Sequence, residues 1–215
     1  MYPVLALDTA CQGAVAVLWL NETDVHTCSD TGRQHSKSMI PLLRNLLHMH
    51  GLQWQDIKML VLSHGPGSFT GVRVGSALFS GINTVLDVPM LPISSLLVTA
   101  LQSGIDDQPV HVIENAYAGE AFYAQFQHGK VLYPPACLSW STLSTMAIGC
   151  YLSHDQEAER QLIAATHLPL QRSRETALVT AVHLQLQDVD VLGLERDVQP
   201  LYLQISQAER GMVRG

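Results

Sequence analysis

The sequence is poor in charge. Of its 215 residues only 14% are Asp, Glu, Lys or Arg, while 47% are hydrophobic; an ordinary globular domain carries roughly 25% charged residues. That balance excludes intrinsic disorder, which needs low hydrophobicity and high charge, and it predicts that part of the surface meets another protein. Positive charge is scarcer still. Twelve Lys and Arg stand against 19 Asp and Glu, for a formal net charge of −7, and no three basic residues follow one another. A free-standing nucleic-acid binder needs a clustered basic footprint, so any RNA contact would have to be shared with a partner. Long apolar runs are missing as well: Ala14 to Leu20 and Met59 to Leu62 fall well short of the ~20 residues that cross a bilayer. No charged n-region precedes the strand-like opening Tyr2 to Leu7, so no signal peptide is expected. Cys11, Cys28, Cys137 and Cys150 lack Cys-x-x-Cys spacing and a His partner at zinc-ligand distance. They are expected to be reduced, mostly buried thiols of a cytoplasmic protein, with no metal held.

What is present is an alternation of short apolar runs and helical patterns. Val4 to Leu7 and Ala14 to Leu20 are continuous apolar strands around the turn Asp8 to Gly13, and Asn21 to Asp24 is a second turn signal. Such strands suit a sheet buried on both faces. After the polar stretch Thr27 to Gln34, apolar residues at helical spacing predict a helix over His35 to His50, stopped by Gly51 and carrying Pro41 inside it. A strand Met59 to Ser63, a helix Phe69 to Leu86, a strand Met90 to Ile93 and a helix Ser94 to Gln102 follow. Around Ser103 to Pro109 the composition turns to Gly, Asp and Pro, which predicts two lobes, 1–103 and 104–215. The second opens like the first, with strands Val110 to Glu114 and Ala121 to Gln127; a strand near Met146 to Ile148 and a helix Ser173 to Gln187, N-capped by Ser173, complete it. Mixed strands and helices in two similarly opening halves predict a two-lobed α/β fold.

The most informative segment is SHGPGSFTGVRVG, Ser63 to Gly75. It reads as strand, glycine-rich turn and helix N-terminus. Gly65 and Gly67 allow close backbone approach or positive φ, and the first N–H groups of the helix, with the Ser68 hydroxyl, make a natural anion site. With Asp8 and Thr9 at the end of the first strand, these residues are the candidates for a phosphate or nucleotide loop. No Lys follows the glycines as in a P-loop, and the pattern is not G-x-G-x-x-G. A plain chain reversal and a phosphate cradle are equally compatible with it.

LALDTA at Leu5 to Ala10, QHS at Gln34 to Ser36 and SHGPGSFTGVRVG together resemble the TsaB (YeaZ) family of the tRNA threonylcarbamoyladenosine pathway. The likeness is strong over 1 to about 100 and weaker beyond, where the family's Asp-Ala-Arg-x-Gly-Glu hairpin reads Asn115-Ala116-Tyr117-Ala118-Gly119-Glu120; QPLYLQ, Gln199 to Gln204, is similar to the family's Pro-Val-Tyr-Leu-Arg tail. The resemblance implies an actin-like, sugar-kinase-type fold with ribonuclease H-like lobes, and a non-catalytic partner of the metal-dependent transferase TsaD. The transferase's two metal-binding histidines fall here on Ser95 and Thr99, neither of which replaces imidazole; Asn115 lacks the charge to hold a nucleotide-bound cation, and only Gly149, followed by bulky Tyr151, stands where an adenosine loop would be. The implied nucleotide cleft is degraded, with no catalytic residue, cofactor or metal.

In the helix 69–86, Gly71, Gly75 and Gly81 each cost about 0.8–1.0 kcal/mol against Ala, which signals a close backbone approach. It can be intramolecular, or it can be docking of a partner; the family's contact with TsaD runs through the helices 36–50 and 69–86. Met39, Leu42, Leu43, Leu46, Leu47 and Met49 wrap about half the first helix, more than one buried face needs. Met39, Leu42, Leu43, Leu46, Gly71 and Gly75 are therefore the expected partner interface. The implied partners are a TsaD-like transferase in a heterodimer, a TsaE-like ATPase and, through the complex, tRNA, with self-pairing when the chain is alone and no membrane. The rival reading is an active ATP-dependent transferase or small-molecule kinase of the same fold, for which Asp8, Thr9 and the Gly65–Ser68 turn speak. A peptidase has no Ser/His/Asp set here.

Overall fold

A computed structural model describes residues 2–11, 13–30, 35–188, 194 and 196–204. The first sheet contains β1 (Val4–Asp8), β2 (Ala14–Trp19), β3 (Val25–Asp30), β4 (Met59–Gly65) and β5 (Met90–Ser94), in the order β3-β2-β1-β4-β5. β1 pairs antiparallel with β2 and parallel with β4. The second sheet contains β6 (Val110–Tyr117), β7 (Glu120–Gln127), β8 (Lys130–Ser139), β9 (Cys150–Leu152) and β10 (Thr166–His167), in the order β10-β9-β6-β7-β8. β6 pairs antiparallel with β7 and parallel with β9. Each sheet is thus a three-stranded meander whose first strand is followed on its other side by two parallel strands. This repeated topology is the two-lobed, actin-like α/β architecture that the resemblance implies.

Both faces of the first sheet are covered, which is why its strands read as unbroken apolar runs. Alternate residues go to opposite sides. Leu5, Leu7, Leu60 and Leu62 pack with α1 (His35–Met49) and α2 (Phe69–Leu86). Val4, Ala6, Met59 and Val61 share a second core with α3 (Ser95–Leu101), with α6 (Arg174–Asp188) and with β6 and β7. That second core joins the two sheets. A smaller cluster around Tyr123, Tyr151 and Leu143 lies beneath α4 (Trp140–Thr145) and α5 (Glu157–Gln161).

The connection between the sheets falls at 102–109, where the composition changes. Beyond β10 the chain returns to the first sheet: α6 packs on α3 and β2, and Val198 enters the α1–α2 core. We therefore propose the 103/104 boundary for the sheets and not for α6 or the residues after it. Three local expectations are corrected. Met146 to Ile148 is a turn closed by Ile148 N on Met146 O at 2.8 Å, and the strand begins at Cys150. The stretch from Val25 is the edge strand β3, whose mixed exposure hides it from an apolar-run reading. The cysteines are partly exposed where burial was expected. Of the QHS triplet, Gln34 and the side chains of His35 and Ser36 lie outside the described residues.

Candidate functional site

A cleft of about 1070 Å³ opens between the sheets, floored by the ends of β1 and α3 and the start of α6. Asp8, at the C-terminal end of β1, is 3% exposed. Its Oδ1 accepts from Ala10 N at 2.9 Å, and its Oδ2 takes both Nε (2.8 Å) and Nη2 (2.7 Å) of Arg174. Burial alone would depress the guanidinium, but the charge of Asp8, with Cys11 and Glu114 nearby, outweighs it and raises Arg174 above its ordinary value. Burial also pushes the Cys11 thiol up to about 12, against the pull of Arg174, so Cys11 is a neutral thiol here.

Part of the candidate phosphate loop is engaged from within the chain. Ser68 N donates to Ala10 O at 2.7 Å. The Ser68 hydroxyl N-caps α2, accepting from Gly71 N at 3.2 Å, and Thr9 Oγ1 donates to Gly71 O at 2.7 Å. A Cβ added at Gly67 would fall on the Ala10 carbonyl, one at Gly71 on the Thr9 carbonyl and one at Gly75 on the Thr9 hydroxyl. The glycines thus admit the β1–β2 turn against the start of α2. Gly65, at φ +105°, makes the bend that follows β4.

Ser95 and Thr99 lie on the buried face of α3. The Ser95 hydroxyl donates to Pro66 O, Thr99 Oγ1 donates to Ser95 O at 3.2 Å, and Arg174 Nη1 donates to Thr99 Oγ1 at 2.8 Å. Asn115 makes a turn, its Oδ1 accepting from Tyr117 N at 2.8 Å. Across the floor, His154 bridges the lobes: Nδ1 is 2.6 Å from Glu114 Oε1, and Nε2 is 3.0 Å from Gln102 Oε1. Among the described residues no group of three or more His, Cys, Asp or Glu side chains could hold a metal ion, and no helix is long and apolar enough to cross a membrane.

The expected interface is redistributed by burial. Met39, Leu43 and Leu46 are core residues facing β1 and β2, and Gly71 and Gly75 face Thr9. These five are corrected as docking residues, because each is consumed by the chain's own packing; only Leu42 stays half-exposed. On α2, Ala77, Gly81 and Val85 are exposed, while Val74, Leu78 and Ile82 beside them are half-buried and pack on the α1–α2 core. Val85 is 78% exposed and Met49 of α1 is 77% exposed. Gly81 has nothing within 4 Å of an added Cβ.

Sequence reasoning missed Arg174 and the Glu114–His154 pair, and it singled out Gln199 to Gln204 without placing the segment 196–204 against the first sheet's helices. That segment lies along α2 and the cleft mouth, with Leu201 N donating to His64 O at 2.8 Å and Gln204 Nε2 to Glu120 Oε2 at 2.7 Å. A usable signal for Arg174 existed: it follows the N-cap Ser173, in a first helical turn where a cation is out of place.

The repeated topology defines a two-lobed, actin-like α/β protein with a cleft between its two sheets. Residues 27–147, more than half of the chain, match the family model described as TsaD: tRNA N6-adenosine threonylcarbamoyltransferase. The chain belongs to this threonylcarbamoyladenosine group, and within it to the TsaB family. It is 30% identical over 129 residues to the tRNA threonylcarbamoyladenosine biosynthesis protein TsaB of Escherichia coli, covering 59% of this chain and 56% of that protein. It is 25% identical over 228 residues to TsaB of Bacillus subtilis, covering 96% of each. The match thus spans little more than half the length of the E. coli relative. A solved Pseudomonas aeruginosa protein, described as similar to peptidase YeaZ, superposes with a TM-score of 0.76 at 21% identity, over 95% of this chain and 100% of that one. At that identity it establishes the fold alone.

Proposed function

We propose that this chain is a non-catalytic activator subunit of a TsaD-like metal-dependent transferase. In that role it serves the attachment of a threonylcarbamoyl group to N6 of adenosine 37 in tRNA, in the cytoplasm. The observation that carries the reading is the pairing of cleft side chains bonded within the chain with exposed apolar residues on α1 and α2. Asp8, Thr9 and Ser68 make hydrogen bonds inside the chain, while Ala77, Gly81 and Val85 on α2 and Met49 on α1 are exposed and left for a partner. The ATP chemistry and the metal belong to other components in this reading, among them a TsaE-like ATPase. With a net charge of −7 the chain meets tRNA only within the complex. The same exposed residues support self-pairing when the enzyme is absent.

Co-purification with the transferase, read beside thermal melting, tests the interface. Val85→Glu and Ala77→Glu are expected to melt near wild type and lose the partner, since an unpaired charge buried at a contact costs roughly 2 kcal/mol or more. Leu43→Glu is expected to unfold the chain. Variants that keep both melting temperature and partner would place the contact elsewhere. The second reading, an ATP-dependent transferase or kinase, is favoured by the cleft volume and by Asp8 at the end of β1. Titration of the pure chain with ATP, with and without Mg²⁺, separates the two.

A further inference from the structure

The first turn of a helix disfavours positive charge, because its N–H dipoles point outward there. Arg174 nevertheless opens α6, and its side chain, 12% exposed, turns into the cleft floor. Four oxygens of different kinds converge on it. The Asp8 carboxylate takes Nε and Nη2 at 2.8 and 2.7 Å. Thr99 Oγ1 and Gln102 Oε1 accept from Nη1 at 2.8 and 3.2 Å, and the Ser95 carbonyl accepts from Nη2 at 3.3 Å. Each side-chain acceptor is turned inward by its own neighbours. Thr99 spends its proton on Ser95 O, Gln102 spends its amide nitrogen on Arg172 O, and the other Asp8 oxygen is held by Ala10 N. Carboxylate, hydroxyl, amide and main-chain oxygens form the hard donor set that suits Mg²⁺ or Ca²⁺. Asp8 is its one carboxylate, and that charge is answered by Arg174.

We infer that Arg174 is a tethered cation that fills a divalent-cation site at the end of β1 from within the chain, and thereby bars a metal-bound phosphate from the cleft. A guanidinium there is permanently charged, carried by α6 on its route back to the first sheet, and beyond the reach of chelators. This role belongs to the cleft of the chain alone, and it is independent of what docks on α2.

Mn²⁺ is the probe, followed by electron paramagnetic resonance and by thermal melting at neutral pH. Wild type is expected to leave Mn²⁺ free and its melting temperature unchanged. Arg174→Ala is expected to bind one Mn²⁺ per chain and to melt higher with the ion than without it. The double variant Asp8→Asn/Arg174→Ala is expected to lose both effects. If Arg174→Ala does not hold its fold unaided, recovery of the folded circular dichroism spectrum on adding Mn²⁺, matched by methylguanidinium as a mimic of the missing group, supports the tethered cation equally. Wild type binding Mn²⁺ in an Asp8-dependent way would overturn the inference. So would an Arg174→Ala chain, folded or refoldable by methylguanidinium, that ignores Mn²⁺.

Discussion

Arg73 Nε donates to the Tyr202 hydroxyl at 3.0 Å, across 129 residues of sequence. The same guanidinium lies 3.6 Å over the Phe69 ring, whose centroid is 5.9 Å from that of Tyr202. This latch pins the returning segment to the start of α2 at the cleft mouth. Its deeper anchor is Asn83, whose amide donates to Val88 O and Arg196 O at 2.9 and 2.7 Å and accepts from Val88 N at 3.0 Å.

The two anchors should separate in mutagenesis. Asn83→Ala leaves partly buried main-chain groups of Val88 and Arg196 without their protein partner, at about 1 kcal/mol each, and should lower the melting temperature by several degrees. Tyr202→Ala removes an exposed contact, should change stability by no more than about 0.5 kcal/mol, and should speed proteolysis within 196–204. Equal thermal effects of the two would mean that the segment is held along its whole length.

The glycines of α2 sort by what faces them. Gly71→Ala pushes a methyl onto the Thr9 carbonyl, which belongs to the central strand's end and has little room to move; a loss of about 1–3 kcal/mol or more is expected in urea melts. Gly81→Ala meets open space and should stabilise the free chain by about 0.8–1.0 kcal/mol through helix propensity. If the added methyl at Gly81 also weakens partner binding, the exposed side of α2 is a close-packed contact.

Much of the first lobe was legible because its signals are local. The apolar runs of β1, β2 and β4 are continuous since both faces of their sheet are buried, and α2 starts at Phe69 after its N-cap as the SHGPGSF segment foretells. The second lobe was harder: β8, an edge strand through Pro134 and Pro135 with exposed Val131 and Leu132, carries neither a continuous run nor clean alternation. The site was half legible. Asp8 and the glycine turn stand out in sequence, but their answer, Arg174, comes from 166 residues away, and no spacing rule reaches so far. The first helix misled for a related reason: an apolar surplus says that more than one side is covered, but only packing tells Leu43 from Met49.

Acid should weaken the fold. Burial holds His64 below its ordinary value of 6.5, opposed by a main-chain hydrogen bond at Gln199, and burial likewise lowers His111, which sits 3.0 Å from the Tyr123 hydroxyl. The unfolded chain takes up these protons near pH 6.5, and the folded chain only at lower pH. Between those points the unfolded state binds more protons, so stability falls as the pH drops through that window. Melting temperatures recorded from about pH 8 down to 5 should decline below about 6.5, and His111→Gln should flatten the decline. A flat profile in wild type would mean that neither histidine is linked to folding.

The most direct measurement is reconstitution of threonylcarbamoyl transfer onto a tRNA bearing adenosine 37, using the purified TsaD-like transferase and its substrate-supplying components, with and without this chain. An activator role predicts modified tRNA only when the chain is present, loss of product with Val85→Glu at unchanged melting temperature, and no turnover of ATP or tRNA by the chain alone. Equal product without the chain, or turnover by the chain in isolation, would contradict it.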